Sequence, residues 1–344
     1  MTLFNKITAI YNDNVPYYLQ TSSHLYQQLQ QLDEYGYTVI HQAIADNDLT
    51  MLKFWLKLAK SYPECSNLIN LCGEHGSTPT HMACHLNYPE GIKILIENGA
   101  SLTEPNQNGH IALHIAAQFN AEACARIILE QSYGLAFNTD KDGSTPLHTA
   151  AVCSAPETAL AILQTSPTTM NIQDGFGFTP AHYAAYVGAT KVLTILKQFG
   201  ADFNLTNNEG NTPLHLNLIK MHQLKSMTSL TNNQPEIINI YQDEMPKLVA
   251  TTKFLLDNGA KTTIYNYSHV TALNIVIDNQ FNEIADYLML NSQKDSTHDN
   301  KDCYAKDEII TYNNQADQLL TISDDSNVNN MPETSNIHTD YILN

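Results

Sequence analysis

The chain has 344 residues, of which 43% are hydrophobic, a content typical of a folded protein. Its 35 acidic and 17 basic residues give a formal net charge of −18, which argues against nucleic acid and anionic membranes as partners because both repel an acidic surface. No apolar run is long enough to span a membrane, so we expect no membrane span and a partner protein with a basic or polar surface.

Residues 1–33 precede the first repeating unit. Leu25, Leu29 and Leu32 are three to four residues apart, which predicts one apolar stripe along a helix. We expect an N-terminal helical cap over the first unit, and a partner-docking helix is the alternative. The start of the chain lacks the uninterrupted apolar core of a signal peptide, so a cytoplasmic protein is expected.

A short phrase then recurs at nearly constant spacing. It consists of a glycine, one variable residue, and Thr-Pro-x-His or a close variant. The five regular copies begin at Gly76, Gly109, Gly143, Gly177 and Gly210, with successive gaps of 33, 34, 34 and 33 residues. Looser copies begin at Gly36 and His269. A period this constant indicates a stacked repeat protein, here with about seven units.

The fourth unit shows how the phrase is expected to fold. Thr145 is a good helix N-cap, and Pro146 at the first helical position loses no hydrogen bond. His148 can reach back to the cap, and the small pair Ala150-Ala151 permits close helix approach. An apolar stripe and a glycine then define a second helix and its end. One such helix-turn-helix unit is stable only when neighbours cover its apolar faces.

Thr-Pro-Leu-His followed by paired alanines resembles the ankyrin repeat. The helix ends Gly99-Ala100, Gly200-Ala201 and Gly259-Ala260 match the other half of that pattern. The resemblance covers residues 34–291. It implies an all-α ankyrin-repeat solenoid of about seven helix-turn-helix units, whose concave groove binds a partner protein.

Six histidines belong to the repeated phrase. The resemblance implies a structural role for them, in which each imidazole ties its own turn to the neighbouring unit. They are His41, His81, His114, His148, His182 and His215. Because they are one repeat apart, they cannot converge on a single ion, and the sequence contains neither a zinc knuckle nor a glycine-rich phosphate loop. We therefore expect no metal, no cofactor and no catalytic residue.

The sixth unit departs from the pattern. His215 is 44 residues before Gly259, whereas His182 is 18 residues before Gly200, so the sixth unit has 26 additional residues. We predict a helical insertion at about 217–247 that extends the helix pair into a longer hairpin. Asp243 and Pro246 are the expected cap of its second helix.

Residues 292–344 are polar and acidic, which predicts a disordered tail. Its ending, Tyr341-Ile342-Leu343-Asn344, resembles the C-terminal signals of effectors exported by bacterial type IV secretion systems. Many Asn, Ile, Tyr and Lys residues with a single arginine are typical of an AT-rich genome. An effector exported to a host cytoplasm is one interpretation, and an ordinary cytosolic ankyrin protein is the other.

In the ankyrin resemblance, partners dock on the turn tips and on the exposed face of each first helix. Aromatic residues stand at several of these positions, where interface hot spots are enriched in them. The predicted protein-binding residues are Phe119, Phe176, Phe178, Tyr183, Tyr186, His110, Ile115, Lys141, Asp142, Asn208 and Glu209.

These features favour a monomeric, non-enzymatic scaffold or adaptor that binds a partner protein in the groove. Two alternatives stay open. In one, the array presents substrates to a ligase or another catalytic partner; in the other, the insertion holds an unrecognised enzymatic site.

Overall fold

The computed structural model describes residues 32–33, 36–61, 63–230 and 235–294. Within these ranges fourteen α-helices follow one another as seven pairs, which agrees with the predicted all-α repeat fold. The pairs are α1 (Val39–Ala45) and α2 (Leu49–Ser61), α3 (Pro79–His85) and α4 (Pro89–Glu97), α5 (Ala112–Gln118) and α6 (Glu122–Gln131), α7 (Pro146–Val152) and α8 (Pro156–Thr165), α9 (Pro180–Tyr186) and α10 (Thr190–Gln198), α11 (Pro213–Leu230) and α12 (Pro235–Asp257), and α13 (Ala272–Asp278) and α14 (Asn282–Lys294).

The helices form two layers. The first helices of the pairs pack on one another in a row from α1 to α13, and the second helices pack in another row from α2 to α12. Short 3₁₀ helices, among them Tyr133–Phe137 and Pro167–Asn171, connect some units to the next. Contacts divide the chain into two units, Met1–Ala285 and Asp286–Asn344, and the row of packed first helices belongs to the former.

Small side chains let the first helices approach one another. The paired alanines of the third, fourth and fifth units have no solvent exposure: Ala116, Ala117, Ala150, Ala151, Ala184 and Ala185. Since a protein interior is packed as densely as an organic crystal, a larger side chain at these positions would push neighbouring helices apart.

The additional residues of the sixth unit lengthen both of its helices, α11 and α12. The expected cap at Asp243 and Pro246 is wrong, because α12 already begins at Pro235 and continues through Pro246. A proline inside a helix removes the hydrogen bond to the carbonyl four residues earlier, here that of Gln242. Both Gln242 and Pro246 are exposed, so water can bind the carbonyl.

Two predicted segments lie almost wholly outside the described residues. The N-terminal cap was expected at 1–33 and the polar tail at 292–344, and both stay predictions. The last helix, α14, runs to Lys294, three residues past the expected end of the array.

Candidate protein-binding surface

A histidine bridges each of the first six units to the next. In the fifth unit, the backbone amide of Thr179 donates to Nδ1 of His182 (3.0 Å), and Nε2 donates to the carbonyl of Asn211 in the following unit (2.9 Å). The equivalent rings are those of His41, His81, His114, His148 and His215. Both nitrogens of every ring are therefore engaged within the protein.

These bonds require neutral imidazoles. Nδ1 accepts a hydrogen bond from a backbone amide, so the ring proton must lie on Nε2. Burial lowers the pKa of His41, His114 and His182 to about 4, and it also lowers the pKa of His81 and His215. The histidine column is thus a neutral scaffold at physiological pH.

The loops between units form a row of tips joined by one backbone hydrogen bond per step. The amide of one tip donates to a carbonyl of the preceding tip. The five bonds join Gln107 to His75 (3.0 Å), Lys141 to Asn108 (3.4 Å), Gly175 to Asp142 (2.8 Å), Asn208 to Phe176 (3.1 Å) and Tyr267 to Glu209 (3.0 Å). Glycine permits this approach: Gly143 has a φ of +80°, and a Cβ on it would lie 2.8 Å from the nitrogen of Gly175. Side chains of successive tips therefore stand side by side along one edge.

An Asn or Asp side chain closes each tip from the third unit to the seventh, and the repeated phrase does not include it. In the fifth loop, Oδ1 of Asp174 accepts from the backbone amides of Phe176 (3.0 Å) and Phe178 (2.9 Å). The same pattern recurs at Asn106, Asp140, Asn207 and Asn266. The sequence signal that could have found it was an Asn or Asp three residues before four of the five regular repeat glycines, since only Gly76 has a glycine, Gly73, at that position.

In three of these five side chains, the second polar atom contacts the last residue of the preceding tip. Three steps are polar: Asp140 with His110 (3.4 Å), Asp174 with Ser144 (3.3 Å) and Asn266 with Asn211 (2.9 Å). The step at Asn207 differs, because Phe178 holds the corresponding place in the preceding tip. Nδ2 of Asn207 is buried and has no hydrogen-bond partner. Phe178 therefore interrupts a ladder that is polar at the neighbouring steps.

Phe178 and Tyr183 form an aromatic pair beside this interruption. Their ring centroids are 5.4 Å apart, and the Tyr183 hydroxyl donates to Oδ2 of Asp174 (2.7 Å). The Tyr183 ring also lies edge-on to His148 at 5.9 Å. Burial raises the pKa of Tyr183, and the hydrogen bond to Asp174 raises it further. Both rings are half-buried, because they pack on each other and on the histidine column; the sequence had predicted exposed rings.

The structure separates the other predicted aromatics. Phe176 lies in the fifth tip and is 46% exposed. Tyr186, at the far end of α9, folds against the sixth unit, where its hydroxyl is 3.4 Å from Gln223. Phe119 lies at the end of α5, and its ring stacks on His85 at 4.2 Å. Tyr186 and Phe119 are therefore at the other end of the first helices and do not join the pair at the fifth tip.

The polar residues of the prediction lie along the tips. Lys141, Asn208 and Glu209 are exposed, and Asp142 is half-buried. Lys141 and Asp142 of the fourth tip and Asn208 and Glu209 of the sixth thus flank the fifth tip, which gives a rim with two acidic side chains and one basic side chain.

His110 is engaged rather than free, since its Nε2 lies 3.4 Å from Asp140. Burial raises the pKa of the Asp140 carboxyl, but hydrogen bonds from His110, Ser144 and Asp142 outweigh that effect and lower the pKa. Ile115 was predicted to bind the partner, but it is only 8% exposed, because α5 packs between α3 and α7. A partner cannot reach most of its side chain, so it leaves the candidate surface.

One exposed aromatic was missed. Tyr267 forms the tip of the seventh unit, where its amide bonds to Glu209, and its ring is 74% exposed. Its place two residues before His269 in the loosest copy of the phrase was the available signal.

Among the described residues, no group of three histidine, cysteine, aspartate or glutamate side chains is arranged to hold a metal ion. In the same part of the chain, no helix combines the length and apolar character needed to cross a bilayer.

A family model for ankyrin repeats, in three copies, matches residues 7–106, 101–174 and 159–239, well over half of the chain. The chain belongs to the ankyrin-repeat family. The crystal structure of the ankyrin repeat domain of Bcl-3, titled a unique member of the IkappaB protein family, covers 70% of this chain and 95% of its own. It superposes with a TM-score of 0.55 at 21% identity, which shows a shared ankyrin fold.

Curated proteins match parts of the ankyrin array. NF-kappa-B inhibitor epsilon of Homo sapiens is 32% identical over 107 residues, which are 30% of this chain and 20% of that protein. The BTB/POZ domain and ankyrin repeat-containing protein NPR3 of Oryza sativa subsp. japonica is 41% identical over 83 residues, 24% of this chain and 13% of its own. The matches thus span about a tenth to a fifth of these relatives.

Proposed function

We propose that this ankyrin-repeat chain is a non-enzymatic protein-binding module whose partner docks at the tip of the fifth unit. The observation that carries the proposal is the interrupted ladder, in which Phe178 leaves the buried amide of Asn207 unpaired. An unpaired buried donor costs about 1–3 kcal/mol of stability. Sites that violate local packing rules are characteristically functional, and aromatic side chains are enriched among interface hot spots.

We define the fifth-unit surface as Phe176, Phe178 and Tyr183 with the polar residues of the neighbouring tips. Those polar residues are Asp142, Asn208 and Glu209. The exposed ring of Phe176 is available for burial by a partner, whereas the Phe178–Tyr183 pair supplies a rigid floor held by Asp174. Acidic side chains at the rim favour a partner with a basic or polar surface, and they would accelerate association at low salt.

A crosslinking experiment tests the proposal. A photoreactive phenylalanine analogue placed at 176 should capture the same protein from a eukaryotic cell lysate as one placed at 208, read by mass spectrometry. Phe178→Ala should abolish this capture. Phe137 is the matched control position, because it is also exposed (41%) but lies in the 3₁₀ helix after α6. Equal capture from 137, or capture that survives Phe178→Ala, would contradict the proposal.

The effector interpretation rests on residues outside the described ranges and stays a prediction. It is tested by comparing secretion of the full chain with that of a chain lacking residues 320–344, from a bacterium with a type IV system. Secretion of the shortened chain at the level of the full chain would contradict a C-terminal signal.

A further inference from the structure

A second candidate site lies at the opposite end of the first helices from the tips. A solvent-open cleft of about 770 Å³ separates the turns of the first two units, and it is lined by residues 46–50 and 87–90. Three carboxylates line it: Asp46, Asp48 and Glu90. Among the described residues, no lysine or arginine forms an ion pair with any of them. The cleft therefore holds three carboxylates that have no cationic partner in that part of the chain.

Tyr88 lines this cleft together with Asp48 and Glu90. Its side chain is nine-tenths buried, and its hydroxyl is buried without a hydrogen-bond partner. The ring is held against α4, since a Cβ on Gly91 would come within 2.5 Å of it. Burial raises the pKa of Tyr88, and the negative charges of Glu90 and Asp48 raise it further. The hydroxyl thus keeps its proton and lacks a partner.

At the joint between the third and fourth units, hydrogen bonds connect the two equivalent turns. There Nδ2 of Asn120 donates to Oε2 of Glu157 (2.5 Å), and Oδ1 accepts from the amide of Thr158 (3.1 Å). The residue before the second helix is Ala155, which is fully buried.

In the first joint, Asn47 and Glu90 occupy the equivalent positions, and neither makes this bond in the described structure. Tyr88 stands where Ala155 stands in the fourth unit. This joint therefore lacks that bridge between units and has an open acidic cleft in its place.

The chemistry of the lining selects the ligand. The carboxylates do not converge closely enough to hold a metal ion among the described residues, and their charge excludes an anion. A guanidinium offers five N–H donors in a flat fork, which suits separated carboxylates and a phenol oxygen better than the point charge of an ammonium. We propose that this cleft binds an arginine side chain of a partner protein, with the guanidinium contacting Asp48, Glu90 and the Tyr88 hydroxyl.

The arginine must come from another protein. The single arginine of this chain, Arg126, already donates to Glu122 (2.8 Å) and Gln164 (2.9 Å) on the surface of α6 and α8. A second copy of the chain therefore has no free arginine to offer. The cleft is also remote from the fifth-unit surface along the array, so the two proposals can fail separately.

Nuclear magnetic resonance titration of the full chain with N-acetyl-arginine amide tests the inference. Saturable shifts are expected at the amides of Asn47, Asp48, Glu90 and Gly91. N-acetyl-citrulline amide, which keeps the shape but not the charge, should bind at least about tenfold more weakly, because hydrogen bonds to charged groups are the stronger ones. The absence of saturable shifts at these amides up to about 50 mM, or equal affinity for capped citrulline or capped lysine, would overturn the proposal.

Variants separate binding from folding. Oδ1 of Asp48 accepts from the backbone amide of Thr50 (2.9 Å) at the start of α2, and Asp48→Asn keeps an N-cap residue there. The double variant Asp48→Asn, Glu90→Gln should bind capped arginine more weakly. Tyr88→Phe removes only the unpaired hydroxyl, so it should weaken binding several-fold without lowering the melting temperature. Unchanged affinity in the Asp48→Asn, Glu90→Gln double variant would overturn the proposal. A lower melting temperature of Tyr88→Phe would also overturn it, because it would show that the hydroxyl has a partner within the folded protein.

Discussion

The tips of the fourth and fifth units have the same backbone and different last residues. Both are closed by an aspartate and joined to the next tip by a backbone hydrogen bond. Ser144 then donates to Asp174 of the following tip, whereas Phe178 leaves Asn207 unpaired. The difference teaches that the backbone of the tip does not depend on its last side chain. That side chain is therefore free to form a stabilising hydrogen bond, as Ser144 does, or to carry an aromatic ring, as Phe178 does.

The largest expected effect comes from protonating the column histidines, which both units share. Each column histidine has a pKa below its ordinary value of 6.5, so the folded state binds fewer protons than the unfolded state. For His41, His114 and His182, whose pKa is about 4, the stabilisation is complete above pH 6.5 and is lost as the pH falls towards 4, by up to about 3 kcal/mol each. We expect the free energy of unfolding, measured with urea, to fall steeply from pH 7 to pH 4.5. His182→Gln should reduce that slope, whereas exposed His222→Gln should not; a flat pH profile would contradict the neutral column.

The next effect tests the packing that both units also share. Ala184→Leu adds three carbons to a fully buried joint and should lower the free energy of unfolding by about 1–3 kcal/mol through overpacking. Ala123→Leu is the matched control, because Ala123 is exposed on α6. An unchanged melting temperature of Ala184→Leu would mean that the first helices are not in close contact there.

A third, smaller effect isolates the comparison itself. Ser144→Ala should lose about 1 kcal/mol, because it deletes a ladder hydrogen bond to a buried carboxylate. Phe178→Ser should be more stable than Phe178→Ala by a similar amount, because a new hydroxyl can pair with Asn207. Equal stability of the two Phe178 variants would show that Asn207 does not point at this position.

The smallest effect concerns a more exposed step of the ladder. His110→Ala removes a partly exposed contact with Asp140 and should cost about 0.5 kcal/mol or less at neutral pH. Urea unfolding beside Ser144→Ala would measure the difference. A loss larger than that of Ser144→Ala would contradict the order of burial along the tips.

The repeat period, the caps and the histidine column were predictable from the sequence, because their causes lie within one unit. Thr179, Pro180 and His182 are neighbours in the chain, and the helix start they form needs only local geometry. The Asn or Asp of the third to sixth tips was equally local and could have been read from its constant distance to the glycine.

Contacts between units were not predictable in the same way. Ile115 becomes buried only because α3 and α7 flank it, and Tyr186 folds onto a sixth unit whose first helix is lengthened. The sequence placed five aromatics on one surface, but the stack brings only Phe176, Phe178 and Tyr183 to the same tip.

By itself the sequence determined the kind of protein, since a period of 33 to 34 residues with a Thr-Pro-x-His helix start identifies a stack of ankyrin-like helix pairs. Only the tertiary structure decided which side chains are left without partners. Whether Asn207 or Tyr88 is satisfied depends on what the neighbouring unit presents about one repeat away, and that is a property of packed side chains rather than of any local pattern.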